Sequence, residues 1–210
     1  MKNETDIPLD LTSPNPLLIV LSGPSGVGKD VTLKRMKELG YPFHFVVTVT
    51  TRPIRPGELN GVDYHFISME GFQRMLEGGE LLEHANVYGH YYGVPKQEVR
   101  KALARGEDVV LRIDVQGAAT IKRIVPDAVF IFLAPPSMEE LIQRLEKRKT
   151  ESAERLEKRI RIAREEIKAL PNYDYVVINR DGRLDETVEQ IAAIITAEKC
   201  RVRPRKKIEL

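Results

Sequence analysis

The chain has 210 residues, 42% of them hydrophobic and 30% charged, and 33 basic against 31 acidic side chains leave a formal charge of +2. That length suits one compact unit with room for attached lobes, and the near balance of charge argues against a dedicated nucleic-acid binder, whose surface would lean basic. The single cysteine, Cys200, excludes an internal disulfide and makes the cytoplasm the default setting, while no apolar run of membrane-spanning or signal-peptide length indicates insertion or export.

Residues 1–16 hold three prolines among scattered polar groups and read as an unstructured leader. Leu17 to Leu21 is a short apolar run that meets a Gly-rich loop and then a helical pattern through Val31, Leu33, Met36 and Leu39. Gly40 and Pro42 stop that helix, and Phe43 to Val49 reads as a second strand. From Thr48 to Pro95 the pattern changes to short strands and turns, with Tyr64–Ile67, Leu81–Ala85 and Tyr91–Val94 as strands of a small inserted lobe. Alternation then resumes with a helix from Lys96 to Arg105, a strand from Val109 to Ile113, a helix to Ile124 and the apolar strand Ala128–Leu133. Strands alternating with helices imply a parallel sheet covered on both faces. Two helices follow Pro136, Met138–Arg148 and Ala153–Leu170, the second carrying a narrow apolar stripe through Leu156, Ile160, Ala163, Ile167 and Leu170. Tyr175–Ile178 is the last strand, Leu184–Lys199 the closing helix, and RVRPRKK a basic tail of the solvated kind.

Gly23-Pro24-Ser25-Gly26-Val27-Gly28-Lys29 matches G-x-x-x-x-G-K between a strand and a helix. Residues without Cβ let successive backbone N–H groups curl around a phosphate, the helix N-terminus adds partial positive charge, and Lys29 supplies a mobile full one. The next position usually holds a Ser or Thr hydroxyl for magnesium, and here it is Asp30. A carboxylate is also a hard ligand for that ion, which makes Asp30 the candidate metal ligand.

A P-loop names the donor and leaves the acceptor open. The segment Thr50-Thr51-Arg52-Pro53-Ile54-Arg55-Pro56-Gly57-Glu58, running on to Tyr64-His65-Phe66, resembles the signature of the guanylate kinase family. Arg52 and Arg55 suit forked contacts to phosphate oxygens, with Glu58 and a Tyr64 hydroxyl beside them. Guanine offers two adjacent N–H donors, N1 and N2, which a carboxylate complements and adenine cannot match. The resemblance implies that Glu83 is that carboxylate and that Thr48 and Tyr92 complete the pocket. Val94 stands where the family usually has a hydroxyl, so base reading leans on Glu83 and Thr48.

Arg144 and Arg148 lie one helical turn apart in a stretch, Arg144 to Lys168, with ten basic residues against six acidic ones. Like charges stacked this way are unfavourable without an anion opposite. The same stretch resembles the family's lid, whose arginines close over the ATP phosphates; Arg148 and Arg159, then Arg144, become the transition-state clamps. Asp114 ends a strand where open α/β sheets bind ligands and matches the family's acceptor-side carboxylate; Asn179 resembles its adenine-side asparagine. Arg112 stands where the family usually has an acid, so Asp30 and Arg112 form an expected charge-swapped salt bridge, Asp30 turning to magnesium or its waters when ATP arrives.

The expected protein is thus an α/β kinase whose P-loop parallel sheet is flanked by helices, with a core of 17–47, 96–136 and 171–199. A small mixed α/β GMP-binding lobe (48–95), a helical lid (137–170) and a basic tail (200–210) complete it. The implied reaction is Mg2+-assisted, in-line transfer from ATP to GMP, with dGMP as a further acceptor, in purine nucleotide metabolism. ATP and GMP are the implied partners. Two rival readings share parts of the pattern. A guanylate-kinase-like protein-binding module would keep the fold and generally lose the P-loop, and a P-loop sugar-phosphate kinase would need neither Glu58 nor Glu83.

Overall fold

The computed structural model describes residues 15–146 and 153–210. Its centre is a sheet of five strands among the described residues, ordered β2-β7-β1-β8-β9. These are β1 (Leu18–Ser22), β2 (Phe43–Phe45), β7 (Asp108–Arg112), β8 (Val129–Ala134) and β9 (Tyr175–Ile178), all pairing in parallel. Side chains alternate across a strand, so Leu18 and Val20 enter one core with Leu111, Phe130, Val99 and Ile121. Ile19 and Leu21 enter the other with Val110, Ile131, Leu33, Met36, Val188 and Ile191. The first layer is covered by α3 (Lys96–Ala104) and α4 (Val115–Ile124), the second by α1 (Lys29–Glu38) and α7 (Leu184–Lys199).

A second sheet, ordered β4-β3-β6-β5, is built from β3 (Val49–Thr50), β4 (His65–Phe66), β5 (Leu81–Val87) and β6 (His90–Pro95). It carries α2 (Met69–Glu77), a helix that the sequence reading of short strands and turns omits. Ser68 caps α2 by accepting the Gly71 N–H at 3.1 Å, and Phe72, 1% exposed, anchors it. The expected strand Phe43–Val49 divides in two. Val46 still donates to Val110 O, but the next N–H, of Val47, goes to the Glu98 carboxylate at 3.2 Å, and the chain leaves one sheet to join the other.

Above the sheets lie α5 (Met138–Glu146) and α6 (Ala153–Ile167). They share a small core in which Leu141, Leu145 and Ala163 are buried against Leu156, Ile160 and Ile167. Helix α6 stops short of the expected Leu170, because Leu170–Asn172 turns into a 3-10 helix with Pro171 in its first turn.

The solvated basic tail is corrected. Arg205 donates to Glu198 Oε2 at 2.8 Å, to Ala128 O at 2.8 Å and to Asp174 Oδ2 at 3.2 Å, and Ile208 and Leu210 pack on the first core. A buried Glu198, 2% exposed, needs a cation, and Arg205 holds its carboxyl down at about 2. The last residues of the expected leader are also engaged, Asn15 donating to Arg205 O at 3.3 Å. Exposed Cys200 follows Lys199, which pairs with Asp108 at the start of β7 at 2.8 Å. Tail and thiol therefore lie at the amino ends of the strands. No helix among the described residues is long and apolar enough to cross a membrane.

Candidate functional site

At the carboxyl ends of the strands, β1 runs into the loop Gly23–Gly28 and α1 begins at Lys29. Two glycines are obligatory for steric reasons. At Gly23, φ 144°, an added Cβ would lie 2.2 Å from Leu133 O, and at Gly28, φ 102°, it would meet Asn179 Nδ2 at 2.4 Å. Lys29 folds back over the loop, its Nζ 2.6 Å from Gly23 O and 3.2 Å from Pro24 O, and burial lowers its pKa.

The loop opens on a cavity of about 470 Å³ to which both sheets and α6 contribute. Thr48, Arg52, Arg55, Tyr64, Glu83, Tyr92 and Asp114 all line it, together with Ser25, Gly26, Gly28, Lys29, Asp30 and Arg159. Arg52, 6% exposed, is gripped by both oxygens of Glu58 at 2.8 and 3.0 Å, and Glu58 also accepts the Arg55 N–H at 2.8 Å. Glu58 thus stands behind the arginines and holds them in place. The guanidinium of Arg52 lies over the Tyr64 ring, 5.3 Å from its centre.

Glu83, on β5, is 4% exposed and its Oε2 has no hydrogen-bond partner among the described residues. Burial, and then the charge of Asp114, push its pKa up to about 8. Asp114 caps α4, accepting the Gly117 N–H at 2.8 Å with Oδ1 while Oδ2 is likewise unpartnered, and burial raises its pKa too. Buried Glu83 and half-buried Asp114, each with an oxygen that lacks a partner among the described residues, make this part of the cavity a site prepared for N–H donors. Val94, opposite Glu83 in the strand pairing, is fully buried in the first core and outside the cavity.

On the far side, α6 leans on the loop. Arg159, 7% exposed, donates to Ser25 Oγ at 3.0 Å, and Glu166 accepts the Ser25 N–H at 3.0 Å. Sequence reasoning overlooked Glu166, although seven residues after Arg159 is two turns along the same helix face. It also overlooked Tyr88. In the Tyr88-Gly89 turn between β5 and β6 both residues have positive φ, 54° and 86°, as a two-residue hairpin requires, and strain at a tyrosine there is a signal of function. Its ring lies 5.8 Å from the Arg159 guanidinium and lines the cavity.

Besides Glu58, which is not among the lining residues, Arg144 and Asn179 are expected ligands that stand elsewhere. Arg144 is taken up by Glu140 and by the backbone carbonyls of Val27 and Asn179, the latter at 2.8 Å. Asn179 donates to Val27 O at 2.8 Å and accepts from Thr187 at 3.2 Å. Both brace the loop from behind and neither lines the cavity; Pro24 and Val27 likewise shape the loop from inside, both buried. Arg148 lies outside the described residues. Asp30 and Arg112 meet, Oδ1 to NH1, at 2.7 Å, which is the charge-swapped pair expected from the sequence.

A glycine loop at the strand ends of a parallel sheet, facing an arginine- and carboxylate-lined lobe under a basic helix, is the arrangement of a P-loop phosphotransferase. Known proteins narrow the class. The family model described as "Guanylate kinase" matches residues 15–198, and the chain belongs to the guanylate kinase family. It is 51% identical to a guanylate kinase of Caldanaerobacter subterraneus subsp. tengcongensis, over 92% of this chain and 93% of the relative. It is also 51% identical to guanylate kinase 2, chloroplastic/mitochondrial, of Oryza sativa subsp. japonica, over 91% of this chain and 68% of the relative. The crystal structure of guanylate kinase from Anaplasma phagocytophilum matches with a TM-score of 0.76 at 34% identity, over 90% of this chain and 89% of that one.

Proposed function

We propose that the chain is an ATP:GMP phosphotransferase, giving ADP and GDP. The observation that supports this reading best is that the phosphate loop and the unsatisfied Glu83 carboxylate open on one cavity, so donor phosphates and a purine reader share one space. Glu83 takes the guanine N1–H and N2–H, with Thr48 and Asp114 beside the base. Arg52 and Arg55 take the acceptor's phosphate, Arg52 pre-oriented by Glu58, with Tyr64 and Tyr92 flanking it. Backbone N–H groups of the loop and Lys29 hold the donor's phosphates.

Phosphoryl transfer asks the protein for alignment and charge neutralisation more than for covalent help. Arg159, already on the loop, is the described lid arginine that neutralises charge on the transferring group, and Arg148 is the second in this reading. A phosphate acceptor is itself anionic, so no general base is required. Among the described residues no cluster of three or more His, Cys, Asp or Glu side chains makes a metal cage. That fits magnesium, which is usually held by one or two carboxylates together with substrate phosphates and water. The 61% exposed Asp30 carboxylate beside the loop suits that ligand role, and the ion would supply charge neutralisation on the donor's phosphates. The reading carries a cytoplasmic setting, in keeping with the lone cysteine.

ATP consumption measured in parallel with GMP, AMP and a sugar phosphate tests it. Turnover with GMP at least a hundredfold above the other two is expected; equal rates, or none with GMP, would remove it.

A further inference from the structure

Arg112, the last residue of β7, ties three parts of the chain together. Its guanidinium donates to Asp30 in the first turn of α1 at 2.7 Å and to Asp63 O in the acceptor lobe at 3.2 Å. It also lies over the Tyr64 ring, 4.4 Å from the centre, nearer than Arg52 at 5.3 Å. The Arg112 side chain is 11% exposed and that of Asp30 61%. The cation is therefore fixed in the cavity wall, while the carboxylate has solvent in which to turn.

A buried guanidinium without an anion is strongly disfavoured, and among the described residues Asp30 is the carboxylate with which Arg112 ion-pairs. Donor phosphates in the adjacent loop change that balance. A divalent cation that accompanies them competes with Arg112 for the Asp30 carboxylate, and so weakens the hold of one on the other. The other carboxylate that acts on Arg112 is Asp63, and its Oδ2 is held by the Leu59 N–H at 2.8 Å; the anion left to take up the charge is the acceptor's phosphate, which the reading above puts beside Tyr64. Building on the kinase reading above, we propose that Arg112 is an acceptor-phosphate ligand whose charge is gated by Asp30. Filling the phosphate loop hands the Arg112 charge to the acceptor nucleotide, and filling the acceptor site hands Asp30 to the donor, so that each nucleotide tightens the other. Linkage requires the effect to be reciprocal.

The test is calorimetric binding of GMP with and without a saturating non-hydrolysable ATP analogue and magnesium. In the native protein the analogue should tighten GMP by about tenfold, within the usual range of such couplings. Asp30→Asn keeps the shape and removes the charge, so GMP should bind more tightly than to the native protein when the analogue is absent, and the coupling should fall below about twofold. A purely structural ion pair gives the opposite sign, with weaker GMP binding in Asp30→Asn. Arg112→Lys, which keeps the charge but loses the guanidinium over the Tyr64 ring, should retain part of the coupling, and Arg112→Gln none. Native-like coupling in Asp30→Asn or Arg112→Gln, with native melting temperature, overturns the proposal while leaving the kinase reading intact. A native protein that binds no GMP removes both.

Discussion

Burial keeps the Glu83 carboxyl protonated in the ligand-free protein up to about pH 8, yet the proposed contact needs both of its oxygens as acceptors for guanine. GMP binding should therefore expel the proton. The stability consequence has a definite sign. A carboxyl whose pKa rises on folding binds more protons folded than unfolded, so the ligand-free protein loses stability as pH rises from the ordinary carboxylate range through about 8. GMP affinity should move the other way, rising up to about pH 8 and then levelling. Titration near neutral pH in two buffers of different ionisation enthalpy should register about one proton released. Glu83→Gln puts an amide N–H against a guanine N–H, a mismatch of about 1–3 kcal/mol. It should abolish the proton release and cut GMP turnover at low substrate at least tenfold, with ATP binding retained; an unchanged GMP affinity would count against the assignment.

Among the elements, α6 presents Arg159 and Glu166 to the same loop residue, Ser25. Burial is the main cause that raises the Glu166 pKa, and the loop N–H that it occupies is one that donor phosphate would claim. In the proposed reading helix and donor compete for that contact, with Arg159 on Ser25 Oγ beside it. Interactions made only in the closed complex act on turnover rather than on ground-state binding. Arg159→Ala should accordingly lower kcat by about a hundredfold while changing the KM for GMP less than about threefold. Turnover within about threefold of the parent would mean that the arginine serves only to hold the helix. The tail poses a separate question of stability. Arg205 holds the Glu198 pKa down at about 2, so its contribution is full above the ordinary carboxylate range and is lost as pH falls through about 2. Arg205→Ala should cost about 1–3 kcal/mol in denaturant melts at neutral pH, with Arg201 and Tyr175 limiting the loss. The deficit should shrink on acidification, and a deficit independent of pH would point to lost packing instead.

Across the whole molecule, the parts legible in the sequence are those whose cause is local. Leu17 to Leu21, the glycine loop and the α1 pattern announce themselves within a short window, and so do the apolar strand before Pro135 and the α6 stripe. The segment Phe43–Val49 is different, because its division depends on which remote strand each half meets, β7 for Phe45 and β6 for Val49. Helix α2 was obscured by Gly71 in its first turn, although Phe72, Met75 and Leu76 carry the helical spacing. Arg144 and Asn179 show the same limit at the site. Residue type and motif position suggested ligands, but one loop carbonyl, that of Val27, invisible in a sequence of side chains, accepts from both. By contrast Asp30 and Arg112 were readable as a pair because two departures of opposite charge fall at the ends of neighbouring elements.

The position of Cys200 makes the protein convenient to handle. It is the only cysteine in the sequence, it is exposed, and its neighbour Lys199 is anchored to Asp108, at the edge of the sheet opposite the cavity. A maleimide dye or a surface tether attached there reports from a rigid helix end. Nucleotide traffic at the other edge should be undisturbed, and the labelled protein should keep its GMP-dependent ATP consumption within about twofold of the unlabelled rate. Immobilised through that thiol, every molecule would face solution with its nucleotide cavity outward, in one orientation, without any engineered tag.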